Sequence, residues 1–167
     1  MTISNHDEAV IKLRELIKGI KIAVLTTIDR SDGSLHSRPM GTQELEFDGT
    51  LYFFTEITSE KANDIEANPQ VNVSYADTHG HRYVTVSGTA GLITDRAKLE
   101  QYWHPFLEAW FPDGLDTPTL GLIRVMPHRA EYWESDGRVK TLLKLAKALI
   151  TRQDVQHELG ENEQLEF

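Results

Sequence analysis

The sequence predicts a mainly β fold with flanking helices: an antiparallel meander of six to seven strands, closed or partly closed into a barrel. Short stretches rich in β-branched and aromatic residues alternate in polarity and are separated by Asp, Asn, Gly and Pro turn signals. Helical periodicity is confined to a few short segments, so strand and helix do not alternate as a doubly wound sheet requires. Neither G-x-G-x-x-G nor G-x-x-x-x-G-K-[ST] occurs, which removes the Rossmann and P-loop modes of phosphate binding. A barrel would shelter the edges that such a meander leaves.

The elements follow in order. Residues 9–19 place Val10, Leu13, Leu16 and Ile17 on one stripe before Gly19, a short amphipathic helix. Ile20 to Ile28 is β-branched and ends at Asp29-Arg30-Ser31-Asp32-Gly33, a turn that returns the chain through Ser34 to Thr42. Leu45–Phe47 and Thr50–Thr55 flank Asp48-Gly49 and read as a second hairpin. Ser59 to Asn68 reads as a short helix, with Ser59 or Thr58 placed to cap it and Asn68-Pro69 closing it. Val71–Ala76 and Tyr83–Leu92 alternate as strands, and Gly88 marks a bulge or tight curvature. Asp95 to Trp110 is helical, capped by Asp95, and Pro105 should kink or split it. Leu120–Met126 and Arg129–Trp133 read as two closing strands around Met126-Pro127-His128. A helix over Val139–Ile150 completes one domain spanning residues 1–150, and residues 151–167 read as a loose, polar, acidic tail.

Composition narrows the function classes. Cysteine is absent, which removes disulfides, thiolate metal sites and cysteine nucleophiles. Seventeen basic against 26 acidic residues give a formal charge of −9, which argues against nucleic-acid binding but leaves room for one local basic pocket. The polar start, Met1 to Glu8, has no signal-like apolar run, and no segment approaches the roughly 20 apolar residues of a membrane span. The expectation is a cytoplasmic protein without nucleic-acid or membrane partners. His79 and His81, with Asp77 nearby, superficially suggest a metal site, but no third ligand stands at suitable spacing, so none is expected.

The chemistry concentrates in His36-Ser37-Arg38-Pro39-Met40, Phe53-Phe54-Thr55 and Ser59-Glu60-Lys61. Arg38 and Lys61 could set a guanidinium and an ammonium around one phosphate, with the Ser59 hydroxyl and backbone donors at the helix start adding to them. Thr55, beside Phe54 at a strand end, could meet the edge of a planar ring. Read singly, each basic residue is equally a solvated surface group and Ser59 a helix cap.

Ser-Arg-Pro-Met at residues 37–40, the Asp48-Gly49 turn into Tyr52-Phe53-Phe54-Thr55, Ser59-x-Lys61 and Asn68-Pro69-x-Val71-x-Val73 occur in the order of a known family. With Val86-x-Gly88-x-Ala90, Trp110-Phe111-Pro112-Asp113-Gly114 and Glu131-Tyr132-Trp133, the chain resembles the general stress protein 26 branch of the pyridoxamine 5′-phosphate oxidase-like FMN-binding split barrels, over roughly residues 8–145. The resemblance implies a split barrel that binds flavin mononucleotide (FMN) at the interface of a homodimer. It implies that Arg38 and Lys61 hold the phosphate with Ser59 assisting, and that Thr55 with the backbone around Pro39, Met40 and Phe54 lines the ring and ribityl parts. It also implies that Trp133 approaches the flavin from the partner chain, although Trp133 reads equally as a core or dimer-seam aromatic. Trp103 and Trp110 read as a wall over the pocket or as the apolar face of a helix.

The family's oxidases carry an Arg-Leu-His-Asp-Arg type segment after the Phe-Trp pair. Here Glu134-Ser135-Asp136-Gly137-Arg138 follows Trp133; only Arg138 echoes it, so vitamin B6 oxidation is not expected. The resemblance therefore points to an FMN-dependent oxidoreductase of unassigned substrate, linked to stress physiology, with NADH or NADPH as the candidate electron donor. Two other readings stay open: a flavin-binding or flavin-sensing protein without turnover, and a same-fold module for another cofactor such as a deazaflavin or haem.

Overall fold

The computed structural model describes residues 2–3, 6–43, 47–134 and 161–167. Helix α1 (His6–Ile17) follows a two-residue strand β1 (Thr2–Ile3) and buries Ala9, Val10, Leu13 and Leu16, close to the stripe its periodicity predicts. Strands β2 (Ile22–Ile28) and β3 (Leu35–Gly41) form the first hairpin in full register, from Ile22 opposite Gly41 to Ile28 opposite Leu35. Gly33 takes a φ of 74° at its turn, a conformation that suits glycine. Strand β4 (Leu51–Glu56) and helix α2 (Glu60–Ala67) come next, then β5 (Gln70–Asp77) and β6 (Arg82–Ile93).

The register between β6 and its neighbour shifts at Ser87/Gly88, the bulge foreseen at Gly88. A Cβ there would stand 2.5 Å from the Met126 carbonyl oxygen, so only glycine admits this approach. Helix α3 (Arg96–Tyr102) is capped by the Asp95 carboxylate, which accepts from the Lys98 N–H at 2.9 Å. Pro105 ends the α-helical run: a 3₁₀ turn, Pro105–Ala109, takes over after Trp103 and His104.

Three expectations need correction. The closing strands are one strand, β7 (Leu120–Glu134), which runs through Pro127 without a break. Pro127 lies opposite Gly88, at the bulge, where the ladder is already interrupted and a missing N–H costs least. Part of the acidic tail is also ordered, because Glu161–Glu166 forms β8, antiparallel to β7 and parallel to β1. Finally, the expected barrel does not close: β4 pairs with β7, with Thr55 opposite Gly121, and shares no ladder with β3 among the described residues; residues 45 and 46 of the expected Leu45–Phe47 hairpin arm lie outside the described residues. The predicted helix at 139–150 and Arg138 lie outside them too.

The result is a mixed α/β fold built on one eight-stranded, almost wholly antiparallel sheet. Its order is β1-β8-β7-β6-β5-β2-β3, with β4 branching from β7. The sheet does not close into a barrel: among the described residues β3 and β4 come near each other but share no ladder, and β3 remains an edge. Pro39 suits that position, since an edge strand tolerates a residue without an N–H. The main core packs α1 onto Leu25, Val73, Val84, Val86, Ile123 and Val125. A smaller cluster gathers Phe54, Leu99, Tyr102, Phe111, Leu120 and Leu122 beneath α3. No helix among the described residues is long and apolar enough to cross a membrane.

Candidate functional site

The turn from β4 into α2 and the edge strand β3 bring the predicted cations together. Arg38 sits opposite Leu25, on the inward side of β3, and its side chain is 15% exposed. Its Nη1 donates to the Thr27 hydroxyl at 2.7 Å and to the His36 carbonyl at 3.0 Å. Its Nη2 is buried with no hydrogen-bond partner among the described residues, although the Asp64 carboxylate lies 3.5 Å away.

Lys61, in the first turn of α2, is half-buried, and its pKa is lowered from the ordinary 10.5. Desolvation is the main cause; the positive charge of Arg38 adds to it, and Glu56 partly opposes it. Two cations thus face one region, and the Arg38 guanidinium retains an unused donor there.

Ser59 holds the N-cap position of α2 with extended backbone, but its side chain makes no capping hydrogen bond. Its hydroxyl lies 3.2 Å from that of Thr55, which is 2% exposed. The cap reading of Ser59 is therefore right for the backbone and wrong for the side chain. An oxyanion would fit this donor set: a guanidinium N–H without a partner, an ammonium, hydroxyls and the first N–H groups of a helix.

The other predicted residues are placed less closely. Met40 is buried in the main core, and Pro39 beside it is exposed. Phe54 is packed edge-on against Trp103, with centroids 5.5 Å apart, so its side chain supports the smaller cluster. Trp110 is 61% exposed and, among the rings of the described residues, meets Phe106. Trp133 stands opposite Tyr83 near the far end of β7 from Gly121, the partner of Thr55. Arg38 shares the inward row of paired residues Leu25, Val73, Val86 and Ala130, whereas Trp133 and Tyr83 are on the outer face, so Trp133 stands on the opposite side of the sheet from the Arg38 of its own chain.

Two contributors were not foreseen. Thr27 and Asp64 are 0% and 1% exposed, and the Thr27 hydroxyl donates to Asp64 Oδ2 at 2.9 Å. Asp64 Oδ1 accepts from the Arg30 N–H at 3.2 Å. The available signal was Thr27 itself, a polar residue in phase with the buried Ala23 and Leu25.

Asp29, His36 and Glu60 also offer ligand atoms within 4.8 Å of one another, a grouping different from the His79/His81 pair. Asp29 is held low in pKa by hydrogen bonds from Ser31, and His36 already approaches Glu60 at 3.7 Å. Asp77 is engaged by the Gly80 and His79 N–H groups and by Arg82, which accounts for it as a turn residue. A recess of about 330 Å³ beside Asp64 is lined by Asp29, Arg30, Ser31, Glu60 and Asn63. Its acidic wall suits an anion less well than the region between Arg38 and Lys61.

The family model described as "Pyridoxamine 5′-phosphate oxidase like" matches residues 8–156. Protein bli-3 of Neurospora crassa is 32% identical over 135 residues, which cover 75% of this chain and 65% of bli-3, so the chain spans just under two thirds of that relative. General stress protein 26 of Bacillus subtilis is 28% identical over 145 residues, covering 84% of this chain and 99% of the relative. The crystal structure of the general stress FMN/FAD binding protein from Xanthomonas citri superposes with a TM-score of 0.67 at 24% identity, covering 78% of this chain and 92% of that one. The chain belongs to the pyridoxamine 5′-phosphate oxidase-like family, in its general stress protein 26 branch.

Proposed function

We propose that this protein binds FMN and serves as a flavin-dependent oxidoreductase in stress physiology, acting in the cytoplasm on a substrate other than a vitamin B6 phosphate. One observation carries the reading. The charges of Arg38 and Lys61 act on each other at one place, and a buried Arg38 N–H lacks a hydrogen-bond partner among the described residues. An arrangement of that kind is unfavourable alone and becomes favourable around a phosphate. The FMN/FAD binding named for the Xanthomonas citri protein agrees with it.

Arg38 and Lys61 would hold the phosphate with the Ser59 hydroxyl, while Thr55 and the backbone at Pro39, Met40 and Phe54 would line the rest of the flavin. The bound flavin would supply hydride and electron transfer, and the protein's part is to orient it and shield it from water.

A homodimer completes the proposal. Ile22 and Val24 on β2 are 54% and 40% exposed, and Tyr83 and Trp133, paired across β6 and β7, are 42% and 38% exposed. Val24 lies in register with Ser74 and Ser74 with Thr85, so Val24 and Tyr83 share one outer sheet face. An apolar face of this kind suits a second copy, and the partner subunit's Trp133 would then meet the flavin, whereas the chain's own Trp133 is on the opposite sheet face from its Arg38.

The test is aerobic and anaerobic purification, a flavin spectrum, and addition of NADH or NADPH. A yellow dimer bleached by either nucleotide supports the enzyme. A dimer that binds FMN but is reduced by neither favours the non-catalytic reading, and a colourless protein that ignores added FMN overturns the proposal.

A further inference from the structure

Asp64 reads in the sequence as an acid on a short helix, yet it is buried to 1% exposure. A buried carboxylate needs donors and a cation, and those of Asp64 come from separate parts of the chain. Thr27 on β2 donates to Oδ2 at 2.9 Å, the Arg30 N–H in the turn donates to Oδ1 at 3.2 Å, and Arg38 Nη2 on β3 lies 3.5 Å from Oδ2.

The direction of these bonds matters. A hydroxyl has one hydrogen, and an ionised carboxylate can only accept. Thr27 therefore gives its hydrogen to Asp64 and presents its lone pairs to Arg38, which donates Nη1 at 2.7 Å. This chain of bonds fixes the guanidinium plane on a strand that is an edge of the sheet among the described residues. It also leaves Nη2 without a hydrogen-bond partner among the described residues, beside Asp64, which lies one turn of α2 from Lys61.

We infer that Asp64, acting through Thr27, is a positioning residue that aims Arg38 at the phosphate end of the ligand and thereby makes the protein select a phosphorylated flavin over an unphosphorylated one. This rests on the FMN reading. Asp64 and Thr27 do not touch the flavin in this account; they orient Arg38, and the negative charge of Asp64 offsets part of the repulsion between the two cations.

The test compares FMN with riboflavin, which lacks only the phosphate, in fluorescence titrations of the full chain as wild type, Asp64→Asn, Thr27→Val, Arg38→Ala and Asp64→Asn/Arg38→Ala. Wild type should prefer FMN. Asp64→Asn and Thr27→Val should each lower that preference about tenfold or more while riboflavin affinity stays constant, and Asp64→Asn should change nothing further once Arg38 is absent. Equal weakening of both flavins, as a merely structural role would produce, overturns the inference. So does an unchanged preference in Thr27→Val, which also serves if Asp64→Asn does not fold. A wild type with no preference for FMN removes the FMN reading itself, and the inference with it; a preference that survives in both variants removes the inference alone.

Discussion

Lys61→Met is the cleanest probe of the cationic cluster, because it separates holding a ligand from holding the fold. Among the described residues Lys61 makes no hydrogen bond, and the charges that act on it are those of Arg38 and Glu56. It is partly desolvated and repelled by Arg38, so methionine at this position should leave the ligand-free protein within about 0.5 kcal/mol of wild type, or slightly more stable.

Ligand binding should respond differently. A charge-assisted contact contributes about 1.5–3 kcal/mol, which corresponds to about a 10- to 150-fold loss in FMN affinity. At an FMN concentration 100 times the wild-type dissociation constant, binding stabilises wild type by about 2.7 kcal/mol, and a variant weakened 100-fold by only about 0.4 kcal/mol. For a chain of this size those values correspond to Tm increases of about 5–11 °C and about 1–2 °C. The assay is thermal unfolding with and without FMN. A fall of several degrees in the ligand-free Tm would make Lys61 a structural residue, and an undiminished FMN-induced rise would refute the phosphate assignment.

The remaining predictions follow from the same geometry. FMN affinity should fall as the phosphate takes up its second proton, below a pH of about 6, and should fall again on the alkaline side, starting below the ordinary lysine value of 10.5 because Lys61 is depressed. Lys61→Met should flatten that alkaline limb in titrations across the range. In the ligand-free protein the sign is opposite: the unfolded chain holds the Lys61 proton more tightly, so this residue's contribution to stability rises with pH between its depressed value and 10.5. Tyr83→Glu, at an exposed position, should leave the fold intact but yield a monomer that loses FMN; a stable dimer in sedimentation measurements would exclude that face as the interface. Gly88→Ala sets a methyl group against the Met126 carbonyl and should cost about 1–3 kcal/mol without changing the preference for FMN over riboflavin. Thermal unfolding and titration of the variant check both parts.

Local chemistry made much of this protein legible in its sequence. β-Branched content located β2 and alternation β5 and β6, Asp95 announced a helix start, Pro105 its end and Gly88 a bulge, because each acts on its own backbone or its immediate neighbours. Arg38, Ser59 and Lys61 stood out through their place in the ordered motifs that resemble the family; read singly, each is a surface charge or a helix cap. Long-range pairing was not legible. Pro127 looks like a break until Gly88 is set opposite it, and Glu161–Glu166 looks like a solvated tail until Leu165 is buried and Glu163 receives the Tyr132 hydroxyl at 2.7 Å. The open sheet follows from where β4 pairs, which no local pattern specifies.

By itself, the sequence determined the composition limits, most of the elements and the residues that could grip a phosphate. The tertiary structure alone decided that Arg38 has an N–H without a hydrogen-bond partner among the described residues, that the Ser59 side chain does not cap its helix, and that Trp133 stands on the opposite sheet face from Arg38. It also decided that Asp64, 37 positions from Thr27, is the buried anchor between them. A charge's role depends on its solvation and on what stands within hydrogen-bond reach, and both are set by segments that meet only when the chain folds.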